Sequence, residues 1–126
     1  MINENNLRDL DLENDVIGIV YQCPWTVDDV RPEWFLNQLQ SEVVRYVREN
    51  QAREGLITHL AEMFGISRRE CFERLEAWRK ASMIHAPIAL LPQYCARLED
   101  LNMRRQKLAA ATEMAKEAFA GVTMEV

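Results

Sequence analysis

Val16-Ile17-Gly18-Ile19-Val20-Tyr21 is the stretch on which the fold turns. Taken alone, six nearly unbroken apolar residues fit a buried strand as well as a helix. The flanking residues decide between them. From Asp11 to Gln22, Leu12, Val16, Ile19 and Val20 fall on one face at helical spacing, and no second stretch in the chain offers a partner strand. Glycine in a helix interior costs roughly 1 kcal/mol relative to alanine, so Gly18 marks a place where another helix packs close. Cys23-Pro24-Trp25 ends this first helix, because proline cannot continue it.

Working outward, the rest of the chain also reads as helices. Thr26 is placed to cap a short acidic helix at Val27-Asp28-Asp29-Val30. Arg31-Pro32-Glu33-Trp34-Phe35 reads as a turn whose aromatic pair anchors it to the core. A helix over about 37–51 lines its buried face with Leu39, Val43, Tyr46 and Val47. Glu42, Arg45, Arg48 and Glu49 lie opposite. Gly55 breaks that pattern, and a short helix over about 56–64 carries Leu56, Leu60 and Met63 or Phe64 before Gly65 caps its end. Ser67, with Glu70 three residues on, has the form of a capping box. It opens a helix that runs to about Ala81 and buries Cys71, Phe72, Leu75 and Trp78. Met83 to Pro87 reads as a connection. Pro92 suits the first turn of a long last helix, about 91–120, closed by Gly121. Residues 1–10 are expected to form a flexible start, 11–120 one helical domain, and 121–126 a tail. The fold expected is all-α, a compact orthogonal bundle of about six helices with a long C-terminal helix.

Bulk properties agree with one globular domain. The chain has 126 residues, 48% of them apolar and 28% charged, with four glycines and four prolines. So few turn residues suit helices with short connections. The net charge is -5, unevenly spread: residues 1–30 hold seven acids against Arg8 alone. Such a balance is a poor start for a nucleic-acid binder, which needs cations to displace counterions from phosphate. Cys23, Cys71 and Cys95 are odd in number and far apart, without metal spacing. They read as small buried hydrophobes of a reducing compartment. The N-terminus lacks the basic and apolar segments of a signal peptide, and no apolar run approaches the roughly 20 residues needed to cross a bilayer. A soluble cytoplasmic protein is expected, with no membrane partner.

Catalytic signatures are missing. There is no G-x-x-x-x-G-K-[ST], G-x-G-x-x-G, G-x-S-x-G or H-E-x-x-H. His59 and His85 stand in different elements without a base–nucleophile constellation, and read as surface or core-edge residues. The carboxylates of residues 9–15 lack calcium-loop spacing and read as first-turn charges and a solvated face. No enzyme activity, metal, cofactor or small-molecule ligand is expected.

Two stretches resemble known proteins. Glu13-Asn14-Asp15-Val16-Ile17-Gly18-Ile19-Val20-Tyr21 resembles the opening helix of the N-terminal domain of DnaB-type replicative helicases. Val27-Asp28-Asp29-Val30, Arg31-Pro32-Glu33-Trp34-Phe35 and Gln40 to Val47 follow at that family's distances. Leu56 to Met63, Cys71-Phe72-Glu73-Arg74-Leu75, Ala86-Pro87, Tyr94-Cys95-Ala96-Arg97-Leu98 and Arg105 to Ala111 continue the order, so that residues 13–119 are covered. The resemblance lies in order, spacing and helix length rather than in one motif. It implies a domain without ATPase activity that forms a collar above the motor ring, pairs with its neighbours, and contacts primase and helicase loader. The family goes on into a second helix that folds back to make a pairing hairpin, and into the motor. This sequence ends at Val126, so the expectation is an excised domain or a stand-alone relative, phage-encoded or not. A small phage adaptor or inhibitor that binds the host replication machinery would read the same way.

The second resemblance is local. Leu60-Ala61-Glu62-Met63-Phe64-Gly65-Ile66-Ser67-Arg68-Arg69-Glu70-Cys71 resembles a helix-turn-helix, with the unit spanning residues 60–84. It implies a DNA-binding regulator in which Arg68 and Arg69, at a helix N-terminus, reach phosphate or guanine. Against it, Glu70, Glu73 and Glu76 share that helix, and no wing follows.

The long last helix is the expected protein interface. Thirty residues make about 45 Å at 1.5 Å per residue, longer than a small domain covers. Tyr94, Leu98, Leu101, Leu108 and Phe119 recur at coiled-coil spacing along it, interrupted by Arg105 and Thr112. This seam is expected to mediate self-association, or contact with helicase, primase or loader.

Overall fold

The computed structural model describes residues 7–124, with side chains through residue 120. Its elements, in order, are α1 (Leu10–Gln22), a 3-10 segment Pro24–Asp29, a 3-10 turn Pro32–Trp34, α2 (Gln38–Asn50), α3 (Leu56–Phe64), α4 (Arg68–His85), a 3-10 turn Ile88–Leu90, and α5 (Leu91–Met124). Among the described residues there is no strand. The all-α expectation and the long C-terminal helix both hold.

The ambiguous stretch is helical because it is central. Val16, Ile17, Gly18, Ile19, Val20 and Tyr21 are all buried. A helix covered on every side is apolar all round, and so loses the periodicity that separates helix from strand. Asp9 starts α1, its Oδ1 accepting from the Leu12 amide at 3.1 Å. Gly18 lies where α1 crosses α4: a Cβ added there would stand 2.2 Å from the Trp78 carbonyl oxygen and 2.7 Å from Ser82 Oγ. The close approach expected of this glycine is therefore real.

Around α1 the core gathers Val27, Val30, Trp34, Phe35, Val43, Val47, Leu56, Leu60, Leu75 and Leu98, all buried. Burying a side chain of that size stabilises by roughly 1.5–3 kcal/mol. Trp34 and Phe35 are anchored as expected. Asn37 caps α2, its Oδ1 accepting from Leu39 and Gln40 amides at 2.9 and 3.2 Å. Gly55 and Gly65 bracket α3 with φ of 81° and 66°, the left-handed region where a side chain is strained.

Several local expectations are corrected. Thr26 does not cap a helix from outside; it lies within the 3-10 segment, and its hydroxyl donates to the Cys23 carbonyl at 2.8 Å. Only half of the capping box forms. Ser67 Oγ accepts from the Glu70 amide at 3.0 Å, while Arg74 Nη2 donates to the Glu70 carboxylate at 2.7 Å. Helix α4 runs on to His85, since nothing breaks it before Pro87, and the Ala86 amide still reaches the Ser82 carbonyl at 2.8 Å. Phe72 is exposed rather than buried. Cys71, Leu75 and Trp78 share one face at helical spacing, and residue 72 sits about 100° away from Cys71. Glu42 is buried rather than solvated, held by Arg45 and His59. Gly121 does not end α5, which continues to Met124.

At the N-terminus, residues 1–6 of the segment expected to be loose lie outside the described residues. Residues 7–9 are tied down. Arg105 Nη1 donates to the Leu7 carbonyl at 2.8 Å, Arg8 pairs with the buried Glu13 at 3.0 Å, and Asp9 caps α1.

Candidate interaction surfaces

Helix α5 has two halves. Over 91–105 every third or fourth residue faces the domain: Leu91, Cys95, Leu98, Leu101 and Arg105 are buried. From 109 to 120 every residue is exposed, so the helix runs past the edge of its own domain. That corrects the expected seam. Leu98, at 1% exposure, and Leu101, at 3%, belong to the chain's own interior and cannot meet a partner without unfolding their surroundings. Tyr94 is half-buried and packs against the same core. Leu108 is half-buried at the domain's edge. Phe119 is exposed on the projecting half. Arg105 is no interruption of the seam: its guanidinium is buried and also donates to the Trp34 carbonyl at 3.0 Å, fixing the root of α5 to the turn at residues 32–34. The exposed apolar side chains that α5 offers are Met103, Met114 and Phe119.

The α3–turn–α4 unit exists, with Gly65 at the turn and Ser67 as cap. Arg68 and Arg69 both lie exposed in the first turn of α4. Arg69 Nε donates to Glu73 at 3.1 Å and Arg74 pairs with Glu70 one turn further on. These exposed pairs are individually weak, but they interleave carboxylates with the cations that phosphate would need. Met63 and Phe72 are exposed on the same unit.

His59 Nε2 lies 3.2 Å from Glu42 Oε1, beneath the Tyr46 ring at 4.9 Å between centroids, and this dyad serves the α2–α3 junction. No group of His, Cys, Asp and Glu among the described residues could hold a metal ion. Cys71 and Cys95 are buried and Cys23 half-buried, all as free thiols. Burial pushes the Cys95 thiol up to about 11, far from the range of a reactive thiolate.

Asp15 faces a cavity of about 350 Å³ between α1 and α4, lined also by Asp11, Trp78 and His85. Burial, and then the charges of Asp11 and Asp9, hold its carboxyl above the ordinary value, against the pull of His85. A carboxyl raised in the folded state stabilises below its unfolded value, and that contribution is lost as pH rises through the folded value. Asp15→Asn is therefore expected to be more stable than the parent at pH 7, by on the order of half a kcal/mol once solvent screening is allowed for. Urea unfolding at pH 7 and pH 3 checks this. The gap should close at the lower pH; a gap of equal size at both would show that ionisation is not its cause.

Two features were missed by the sequence reading. Ile19, Cys23, Met83, Pro87 and Ile88 line an apolar groove of about 220 Å³ beside the ends of α1 and α4. Next to it Trp25 is 72% exposed. A tryptophan directly after the proline that ends a buried helix is a signal that could have raised the question, but the sequence does not say which way it faces.

No family model matches this chain, and no curated protein or solved structure matches it at a significant level. No helix among the described residues is long and apolar enough to cross a membrane.

Proposed function

We propose that this chain is a non-catalytic interaction domain of DNA replication, a cytoplasmic relative of the helicase N-terminal collar, that associates with itself through α5 and contacts helicase, primase or loader. The observation that supports this most is the shape of α5. Its first half completes the core through Leu98, Leu101 and Arg105, and its second half, residues 109–120, lies exposed beyond the domain. A last helix that outruns its own domain is what its length, about 45 Å at 1.5 Å per residue, leads one to expect. An exposed helix with Met114 and Phe119 upon it suits pairing in helix-to-helix fashion. The DNA-binding reading through Arg68 and Arg69 gains less support, because carboxylates alternate with cations along that helix.

The test is capture of tagged full-length chain with its partners from nuclease-treated bacterial lysate, read by mass spectrometry. Helicase, primase or loader should remain after nuclease treatment. Enrichment that vanishes with the nucleic acid, leaving no replication protein, would argue for the α3–α4 unit and DNA instead.

A further inference from the structure

Trp25 forms one wall of a surface cavity of about 420 Å³, with Gln22, Gln51, Arg53 and Glu54 among the others. Gln51 Nε2 donates to Asp28 Oδ1 at 3.2 Å, which brings a second carboxylate to its rim. The charges here are sorted by direction. Arg53 Nη1 donates inward to the Tyr21 carbonyl at 2.9 Å, and its guanidinium lies 5.3 Å over the Tyr21 ring. Arg48 Nη1 donates inward to the Val30 carbonyl at 2.7 Å. Asp28, Asp29, Glu49 and Glu54 are exposed, and among the described residues none of them forms an ion pair. Arg48 and Arg53 thus donate to backbone carbonyls, Arg53 from an exposed position, while Glu54 in the cavity wall and Asp28 at its rim face solvent beside an open indole. An aromatic face flanked by carboxylate attracts an ammonium or guanidinium group. The apolar groove lined by Ile19, Met83 and Ile88 shares Gln22 with this cavity, so an apolar side chain next to the cation would have a place.

We propose that this corner binds a positively charged, partly apolar segment of another protein, with a lysine or arginine laid against Trp25 and paired with Glu54. It rests on the reading of the chain as an interaction module and says what kind of partner that module takes. A second copy is the poorer occupant of this corner, since Arg45, Arg69, Arg74, Arg97 and Arg104 on its surface already pair with carboxylates of their own chain.

The experiment is a titration of the full chain with a short Lys/Leu peptide and its Glu/Leu counterpart, affinity being read in parent and variants from the anisotropy of a dye on the peptide, and the Trp25 indole signal followed by NMR in the parent. The Lys/Leu peptide should shift that signal, bind less well as salt rises, and weaken about five-fold on Trp25→Ala and about ten-fold on Glu54→Lys. Both side chains are exposed, so neither change endangers the fold. Equal binding of the Glu/Leu peptide, or an unchanged affinity in both variants, overturns the site. Running the lysate capture with the same variants separates this proposal from the one above. Replication proteins held whether or not Trp25 and Glu54 are intact overturn the site and leave the function standing. Lys/Leu binding at Trp25 with no replication protein captured upholds the site and overturns the function.

Discussion

Gly18→Ala is expected to destabilise the domain by about 3 kcal/mol, the upper end of what overpacking costs. The new methyl would stand 2.2 Å from a backbone carbonyl oxygen, that of Trp78, and 2.7 Å from Ser82 Oγ. A side chain can rotate away from such an intrusion; the carbonyl of Trp78 cannot, because it belongs to the frame of α4. The helices must separate, and the contacts of Val16, Ile19 and Val20 with their surroundings loosen together. Alanine's better helix propensity returns only about 1 kcal/mol. For a domain of this size the net loss lowers the melting temperature by about 10 °C. Thermal unfolding followed by circular dichroism checks it, and an unchanged melting temperature would mean that α1 and α4 do not cross at this point.

Leu98→Ala is expected to cost about 3 kcal/mol, whatever the protein concentration. Leu98 is 1% exposed within the chain's own core, and truncating a buried leucine costs roughly 2–5 kcal/mol in lost transfer energy and residual cavity. Were Leu98 part of a seam between copies, as its spacing with Leu101 and Leu108 suggests in isolation, the same change would lower the mass of the assembly and leave the folded monomer intact. Urea unfolding and sedimentation of the variant distinguish the two. A large fall in the urea midpoint with a single folded state places Leu98 in the core; unchanged stability with a reduced mass places it at an interface.

The parts of the fold written in local chemistry were legible in the sequence. Gly55 and Gly65 mark the two ends of α3, Ser67 the start of α4, and Pro24 the end of α1, where it also opens the 3-10 segment. Each acts through its own backbone or its nearest amides, so no distant residue alters the reading. Gly18 was legible for a related reason: a residue that weakens its own helix needs a neighbour to justify it. What failed was the capping role of Thr26, the stop at Gly121, and several judgements about which neighbour covers a face. The α5 stripe has one spacing from Tyr94 to Phe119, yet its first half packs on its own domain and its second half lies beyond it. Arg105 interrupts the stripe by type, but carbonyls of Leu7 and Trp34, far away in sequence, make its burial tolerable. Glu42 lies on what reads as a polar face until His59 and Arg45 are seen around it. Trp25 and Glu54 come together from separate segments, so the corner they form has no linear pattern at all.

The central claim is that this domain works by association, with itself and with a replication protein. Sedimentation velocity of the full chain over a range of concentrations, alone and mixed in turn with purified replicative helicase, primase and loader, tests it most directly. The account predicts a mass that rises with concentration when the chain is alone, and a co-sedimenting complex with at least one of the three. A monomer at every concentration that forms no complex with any of them would contradict it.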